Sequence, residues 1–474
     1  MPWVGPGGPV PELTVAQLAE ATSGRVLRGD PATRVSSFEI DTRRLREGGA
    51  FFALKGKRAD GHQFLGEAAD RGARAAIVET PCADDAPAPP VLLQVPDVAA
   101  ALGACGRYVR ARHGRARWVA LTGSNGKTTT KELIAAGLGA VAPTHRTIGN
   151  FNNHLGVPLT LLACPADTTF VVVEMGMSAH GEIAHLAAMV DPDVGLVTNV
   201  RATHLGQLGS LDDIAAAKGE LFAVLRADAT SVVNLDDAHV RVQATRHAGP
   251  RVTFGQHASA DLRVEDIQSR FVPGATLRFR RGERSYRVPL RLGGGHSALN
   301  ALAALAVVVA CGVDIEAAIA GMERVDAGPG RGLVHRLPGG IVLVDDSYNS
   351  SPSALASVLE TLRLTETTGR RVLVMGDMLE LGKLEGALHR EAGKRAAAAG
   401  VQVLFAIGPL SRGAAEAARR AGVAEVHQYA DSSEAAESVP EFLRPGDFVV
   451  VKGSRGMTLE RVVQALTAGH AGAG

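Results

Sequence analysis

The stretch ALTGSNGKTTTKELIAAGL, residues 120–138, commits the chain to one local architecture: an apolar strand, a tight glycine loop and then a helix. Gly123 and Gly126 allow the backbone to turn sharply with its N–H groups toward an anion, and the helix start adds the positive end of its dipole. Lys127 then reaches the terminal phosphates of a nucleotide such as ATP, and the Thr128 hydroxyl is placed to ligate Mg²⁺. The match is to the short form T-G-x-x-G-K-T, because Leu121 stands where the longer phosphate-loop pattern has glycine. Thr122, Gly123, Ser124, Asn125, Gly126, Lys127, Thr128 and Thr129 are the expected nucleotide site. Such a loop on its own leaves a switch, a motor, a kinase and a ligase all open.

Around this loop the chain divides into three regimes, expected as domains at 1–112, 113–327 and 328–474. The first reads as a small α/β unit, with strands at AFFALKG (50–56) and AAIVE (75–79) and helical patterning over Gln63–Arg71. The second continues from RWVALTG (117–123) with strand candidates TTFVVVE (168–174), DVGLVTN (193–199) and ATSVVN (229–234). An arginine-rich, β-forming stretch at 251–291 suggests added antiparallel strands, followed by a long helix from about His296. After a Gly/Pro hinge, DAGPGRG (326–332), four short apolar runs alternate with helical segments, the signature of parallel βαβ units. The fold class is therefore α/β in three domains: a small N-terminal unit, a central phosphate-loop sheet and a C-terminal Rossmann-like sheet.

Composition narrows the function classes. Of 474 residues, 46% are hydrophobic and 21% charged, enough for an extensive core and too apolar for disorder. A net charge of +1 argues against nucleic acid as the main partner. Cys82, Cys105, Cys164 and Cys311 are scattered, neither a zinc site nor a disulfide framework, which suits a reducing cytoplasm. The start lacks a basic segment leading into an apolar one, and the longest apolar run, Ala301–Val313, falls short of the ~20 residues of a membrane span. A cytoplasmic protein is expected. Only eight of the fifty Lys and Arg residues are lysines, so a lysine hints at a task the guanidinium would not serve.

Further segments follow the loop in a telling order: TIGNFNNHLGVPLTLL (147–162), EMGMSAHGEI (174–183), ATHLGQLGSLDDIAAAKGELF (202–222), GGHSALNALAA (294–304), GRGLVHRLPGGIVLVDDSYNSSP (330–352) and VKGSRGMTLE (451–460). With DTRRLREGGAFFALKGKRADGH (41–62) they span nearly the whole chain, and together they resemble the Mur ligases, ATP-dependent amide-forming enzymes of peptidoglycan synthesis. DDSYNSSP, VMGDMLELG and KGSRG look most like the members that add D-alanyl-D-alanine to a UDP-N-acetylmuramoyl-tripeptide. The resemblance implies ATP, two Mg²⁺ ions, those two substrates, a monomer, and a reaction through an acyl phosphate.

The residues can be read against that chemistry, which crowds anionic oxygens together and so calls for metal ions and lysines. Glu174 ends an apolar strand, where ligands of open α/β sheets bind, and by resemblance holds Mg²⁺. His204 is implied as a ligand of a second metal, although Arg201 and Gln207 depart from the usual pattern beside it. Lys218 has Ile214, Ala215, Leu221 and Phe222 on its helical face and no acid to pair with. Burial there favours the neutral amine, which can take up carbon dioxide as an anionic carbamate, a modification several Mur ligases carry at the matching lysine. A lysine snorkelling from a helix margin is the competing reading. Lys127, His204 and Lys218 are thus the catalytic candidates, and Thr128, Glu174, His204 and Lys218 the metal candidates.

Asn150, Asn152 and Asn153 are candidates for substrate oxygens, and Asn300 for adenine, with Ser297 at the position where the family has another polar residue. Arg331 and Asp346 are assigned to ribose or phosphate, and Tyr348 and Asn349 to substrate. Lys452 and Arg455 are read as opening the last helix, where two cations oppose the macrodipole unless an anion lies between them. Thr42, Arg43, Lys57 and Arg58 match the UDP-sugar site. Two further ligases remain open, one adding a diamino acid and one like folylpolyglutamate synthase, though the chain has no Asn-Pro-Arg motif and carries an extra N-terminal segment. A phosphate-loop switch ATPase is the alternative of a different class.

Overall fold

The computed structural model describes residues 10–56, 59–83, 85–202 and 208–468. Lys57, Arg58 and His204, three of the candidate site residues, lie outside them. Three sheets carry the fold, in addition to a two-stranded ladder of Leu13–Thr14 with Arg34–Val35. The first sheet has five strands in the order Arg25–Arg28, Val91–Gln94, Ala75–Val78, Ala50–Phe52 and Phe38–Glu39. Helices Val15–Thr22 and Val98–Arg112 close its core, each started by a side chain, Thr14 and Asp97, that accepts a first-turn N–H.

The central sheet has nine strands. Its middle is parallel: Thr230–Asn234, Val194–Val197, Arg117–Thr122 and Phe170–Glu174 lie side by side. Successive residues point to opposite faces, so one run of valines feeds two cores. Val119, Leu121, Val172 and Leu196 pack under helices Lys127–Gly139 and Gly295–Ala310. Trp118, Ala120, Val171 and Val173 pack under helices Gly156–Leu162, Glu182–Val190 and Leu211–Ala223. The apolar run from Ala301 is indeed a buried helix. The 251–291 stretch departs from the expectation in part. Arg251–Gly255 and Leu262–Gln268 extend the parallel sheet, and only Thr276–Arg281 and Arg284–Pro289 add antiparallel strands.

The third sheet orders Leu333–Leu337, Ile341–Asp346, Phe448–Lys452, Arg371–Gly376, Val403–Ile407 and Glu425–Tyr429. All pairs are parallel except the first, so helices cover both faces. Its two edge strands, LVHRL and EVHQY, are not evident from apolar patterning because polar residues interrupt them. This sheet also takes a side chain from elsewhere. Phe271, on the turn between strands of the central sheet, is buried with Leu355, Leu362 and Phe448, its ring 5.9 Å from that of Phe448. Its N–H donates to Thr365 Oγ1 at 3.1 Å. A second link joins the first unit to the central one, where Arg44 lies over the Phe151 ring at 4.7 Å. Among the described residues no helix is long and apolar enough to cross a membrane.

Candidate active site

The site forms where the parallel strands end. Strand Arg117–Thr122 delivers the loop, and helix Lys127–Gly139 leaves it with Gly126 as its N-cap. Gly126 has φ +79°, and a side chain there would run into the Asn300 amide, so glycine is required on both counts. Gly123, at φ +148°, likewise has no room beside Thr198. The loop is bolted to the end of the neighbouring strand. Ser124 N donates to Asn199 O at 2.9 Å, Asn125 N to Asn199 Oδ1 at 3.0 Å, and Thr198 Oγ1 to Asn125 O at 2.9 Å.

Lys127 donates to the carbonyls of Gly123 at 2.8 Å and Ser124 at 3.3 Å, folded back on its own loop. Burial pulls its pKa below the ordinary lysine value, with Glu174 working against that shift and Arg331 with it. Glu174 is 2% exposed. Its Oε1 accepts from Asn152 Nδ2 at 2.8 Å, while Oε2 has no hydrogen bond among the described residues. Thr122 Oγ1 and Thr130 Oγ1, flanking the loop, are orphaned in the same way. A buried carboxylate oxygen left open beside a phosphate loop fits a divalent cation, with Thr128 the neighbouring hydroxyl. Among the described residues no three His, Cys, Asp or Glu side chains gather into a metal site.

Lys218 is 2% exposed, which removes the snorkelling alternative. Its helical neighbours Ile214, Ala215, Leu221 and Phe222 are all buried. Burial, and then the nearby charge of Lys127, hold its pKa well below the ordinary value, favouring a neutral amine. Ser210 caps this helix by accepting from Asp213 N at 3.1 Å, and its own hydroxyl donates to the Asp213 carboxylate, so only one of the two bonds of a capping box forms.

A cavity of about 430 Å³ opens over the loop, between the central and third sheets. From the central part Ser124, Asn125, Gly126, Lys127, Thr128, Thr129, Asn150, Asn152, Glu174 and Asn300 line it. From the far side come Arg331, Asp346, Tyr348, Asn349 and Lys452. Asn125 Nδ2 donates across it to Ser353 Oγ at 3.2 Å. Arg331 and Arg455 both lie over the Tyr348 ring, at 4.1 and 5.6 Å.

Several candidates take other roles. Asn153 Oδ1 accepts from Leu155 N and Gly156 N at the start of a helix, so its side chain is a local cap and does not line the cavity. Lys452 does not open a helix. It ends strand Phe448–Lys452, and the last helix begins at Glu460 after a turn at Arg455–Met457. The anions that the two cations call for are internal: Lys452 Nζ meets Asp346 Oδ2 at 2.6 Å, and Arg455 meets Glu460 at 2.8 Å. Thr42 is buried in a short turn, and Arg43 pairs at 2.7 Å with Asp41. Lys131, absent from the sequence candidates, is completely buried beside Glu174. One signal was available: Lys131 follows Lys127 by a single helical turn in a chain poor in lysine.

A phosphate loop at the end of a parallel sheet, faced across a cavity by a second α/β sheet, is the arrangement of a nucleotide-dependent enzyme. Comparison with known proteins specifies it further. Models of the Mur ligase family match in three parts: the Mur ligase family catalytic domain over residues 34–109, the Mur ligase middle domain over 121–308, and the Mur ligase glutamate ligase domain over 330–455. The UDP-N-acetylmuramoyl-tripeptide–D-alanyl-D-alanine ligase of Escherichia coli (strain K12) is 35% identical over 463 residues, covering 96% of this chain and 98% of that one. A crystal structure of MurF from Acinetobacter baumannii superposes with a TM-score of 0.86 at 31% identity, covering 97% of this chain and 100% of that one. MurF from Thermotoga maritima in complex with ADP gives 0.78 at 28% identity, covering 91% and 97%. The chain belongs to the Mur ligase family.

Proposed function

We propose that this chain is an ATP-dependent ligase that joins D-alanyl-D-alanine to UDP-N-acetylmuramoyl-tripeptide, a cytoplasmic step of peptidoglycan precursor synthesis carried out by a monomer. The observation that carries the reading is the single cavity lined by the phosphate loop on one side and by Arg331, Asp346, Tyr348 and Asn349 on the other. Both sheets line this space, which supports a site where a nucleotide and an acceptor meet. We read the three sheets as three domains, bounded near residues 112 and 327.

The terminal carboxylate of the tripeptide attacks the γ-phosphorus of ATP, giving an acyl phosphate and ADP. The amine of the dipeptide then attacks the acyl carbon, loses a proton, and expels phosphate. Lys127 leaves its own loop carbonyls for the γ-phosphate and follows the charge as it moves, while the loop N–H groups cradle the rest. Asn150 and Asn152 offer amides to acceptor oxygens without adding charge, and Asn300, already against the loop at Gly126, faces the nucleotide. Glu174 and Thr128 would hold one Mg²⁺, and His204 with a carbamylated Lys218 a second; their part is to neutralise crowded phosphate and carboxylate oxygens. Thr42, Arg43, Lys57 and Arg58 are assigned to the UDP end.

The test is a coupled phosphate-release screen of UDP-muramoyl peptides against D-alanyl-D-alanine and single amino acids. Turnover should require ATP, the tripeptide and the dipeptide together. Phosphate release without either acceptor would favour a switch ATPase, and release with a diamino acid in place of the dipeptide would reassign the step.

A further inference from the structure

Lys131 has no exposure to solvent, yet nothing in the reaction above uses it. Its ammonium touches three parts of the site. It donates to Gly149 O at 3.3 Å, on the loop that carries Asn150 and Asn152, lies 3.2 Å from Glu132 Oε1, and is 3.8 Å from Glu174 Oε2. A buried ammonium is costly to desolvate, and methionine would fill the same space without that cost, so packing does not account for the charge. The distance to Glu174 is also informative. At 3.8 Å the ammonium attracts the carboxylate without hydrogen bonding to it, so Oε2 is held in place with its lone pairs free. Oε1 is meanwhile fixed by Asn152.

We propose that Lys131 is a positioning residue: a built-in counter-ion that aims Glu174 into the cavity and limits how tightly that carboxylate holds a divalent cation, while pinning the asparagine loop through Gly149. This rests on the reading of Glu174 as a cation ligand. A fixed positive charge behind the ligand weakens a cation in front of it, which lets the cation exchange with each nucleotide.

The experiment is a Mn²⁺ titration of the full chain without nucleotide, followed by electron paramagnetic resonance. Lys131→Met should bind Mn²⁺ more tightly by about threefold or more, and Lys131→Arg should stay near the wild type. Glu132→Gln, at a part-exposed position, releases Lys131 toward Glu174 and should weaken Mn²⁺; it carries the test if Lys131→Met fails to fold. A residue that merely packs predicts unchanged or weaker binding in Lys131→Met and no change in Glu132→Gln, and that pair of results overturns the proposal. Glu174→Gln separates the two readings. Mn²⁺ binding should vanish in it; binding that survives removes Glu174 as the ligand and Lys131's role with it. Unaltered affinity in Lys131→Met with Glu174-dependent binding removes the counter-ion role alone.

Discussion

Glu174 and Asp346 occupy equivalent places in two different sheets, each the last residue of an apolar parallel strand beside the cavity. Their surroundings are opposite. Register pairs Asp346 with Lys452 on the next strand, and the two side chains meet at 2.6 Å, with the ammonium also bound to Asn349 O at 3.0 Å. Register pairs Glu174 with Leu121, which has nothing to offer a carboxylate, and the nearest described ammonium comes from a helix at 3.8 Å. One acid is paired inside the protein, and the other keeps an oxygen without a hydrogen bond among the described residues. The residue that register sets opposite a strand-end carboxylate decides which.

The largest expected effects test the open half of this comparison. Lys127→Ala should lower acyl-phosphate formation by about a thousandfold while leaving the fold intact, because it removes charge from the loop and no core packing. Near-normal phosphate release by that variant would break the assignment. Lys218→Arg should be equally inactive, since arginine cannot become a carbamate. Lys218→Ala should also be inactive but partly restored by added acetate, and an active arginine variant would exclude the modification.

The direct contrast comes next. Glu174→Gln should lose activity by about a hundredfold with little change in unfolding by urea. Asp346→Asn should instead lower stability by about 3 kcal/mol, because it strands a buried ammonium. Lys452→Met added to Asp346→Asn should recover much of that loss. Equal stability of the two single variants would show that the two carboxylates do not differ in this way.

Smaller effects concern geometry and pH. Closure about the hinge at 326–332 should reduce the radius of gyration when an ATP analogue and UDP-peptide bind, with Phe271 anchored in the third sheet throughout. Identical scattering with and without ligands would count against closure. The lowered pKa of Lys218 has a defined sign. Between its folded value and the ordinary 10.5, the unfolded chain binds a proton that the folded protein does not, so stability rises with pH across that window. Lys218→Met should lack this slope, and parallel pH profiles for the two proteins would show that the amine is not held neutral by folding.

What the sequence determined by itself was everything written in contiguous residues. The phosphate loop, the valine-rich strands, the long buried helix and the apolar face of Lys218 depend on spacing along the chain, and local backbone geometry converts spacing directly into position. The family motifs are contiguous too, which is why the α/β architecture is legible in the sequence. What the tertiary structure alone decided was the partner of each charge. FVVVE and IVLVDD look alike, and no local pattern says that Lys452 will lie beside Asp346 or that Lys131 will stand behind Glu174. Asn153 and Asn152 are neighbours in one motif, yet Asn153 caps the adjacent helix through local contacts while Asn152 reaches the Glu174 carboxylate on another strand. Strand register and helix packing set those contacts, over separations such as the 106 residues between Asp346 and Lys452, and Coulomb interactions in a buried site depend on distance in space rather than in sequence.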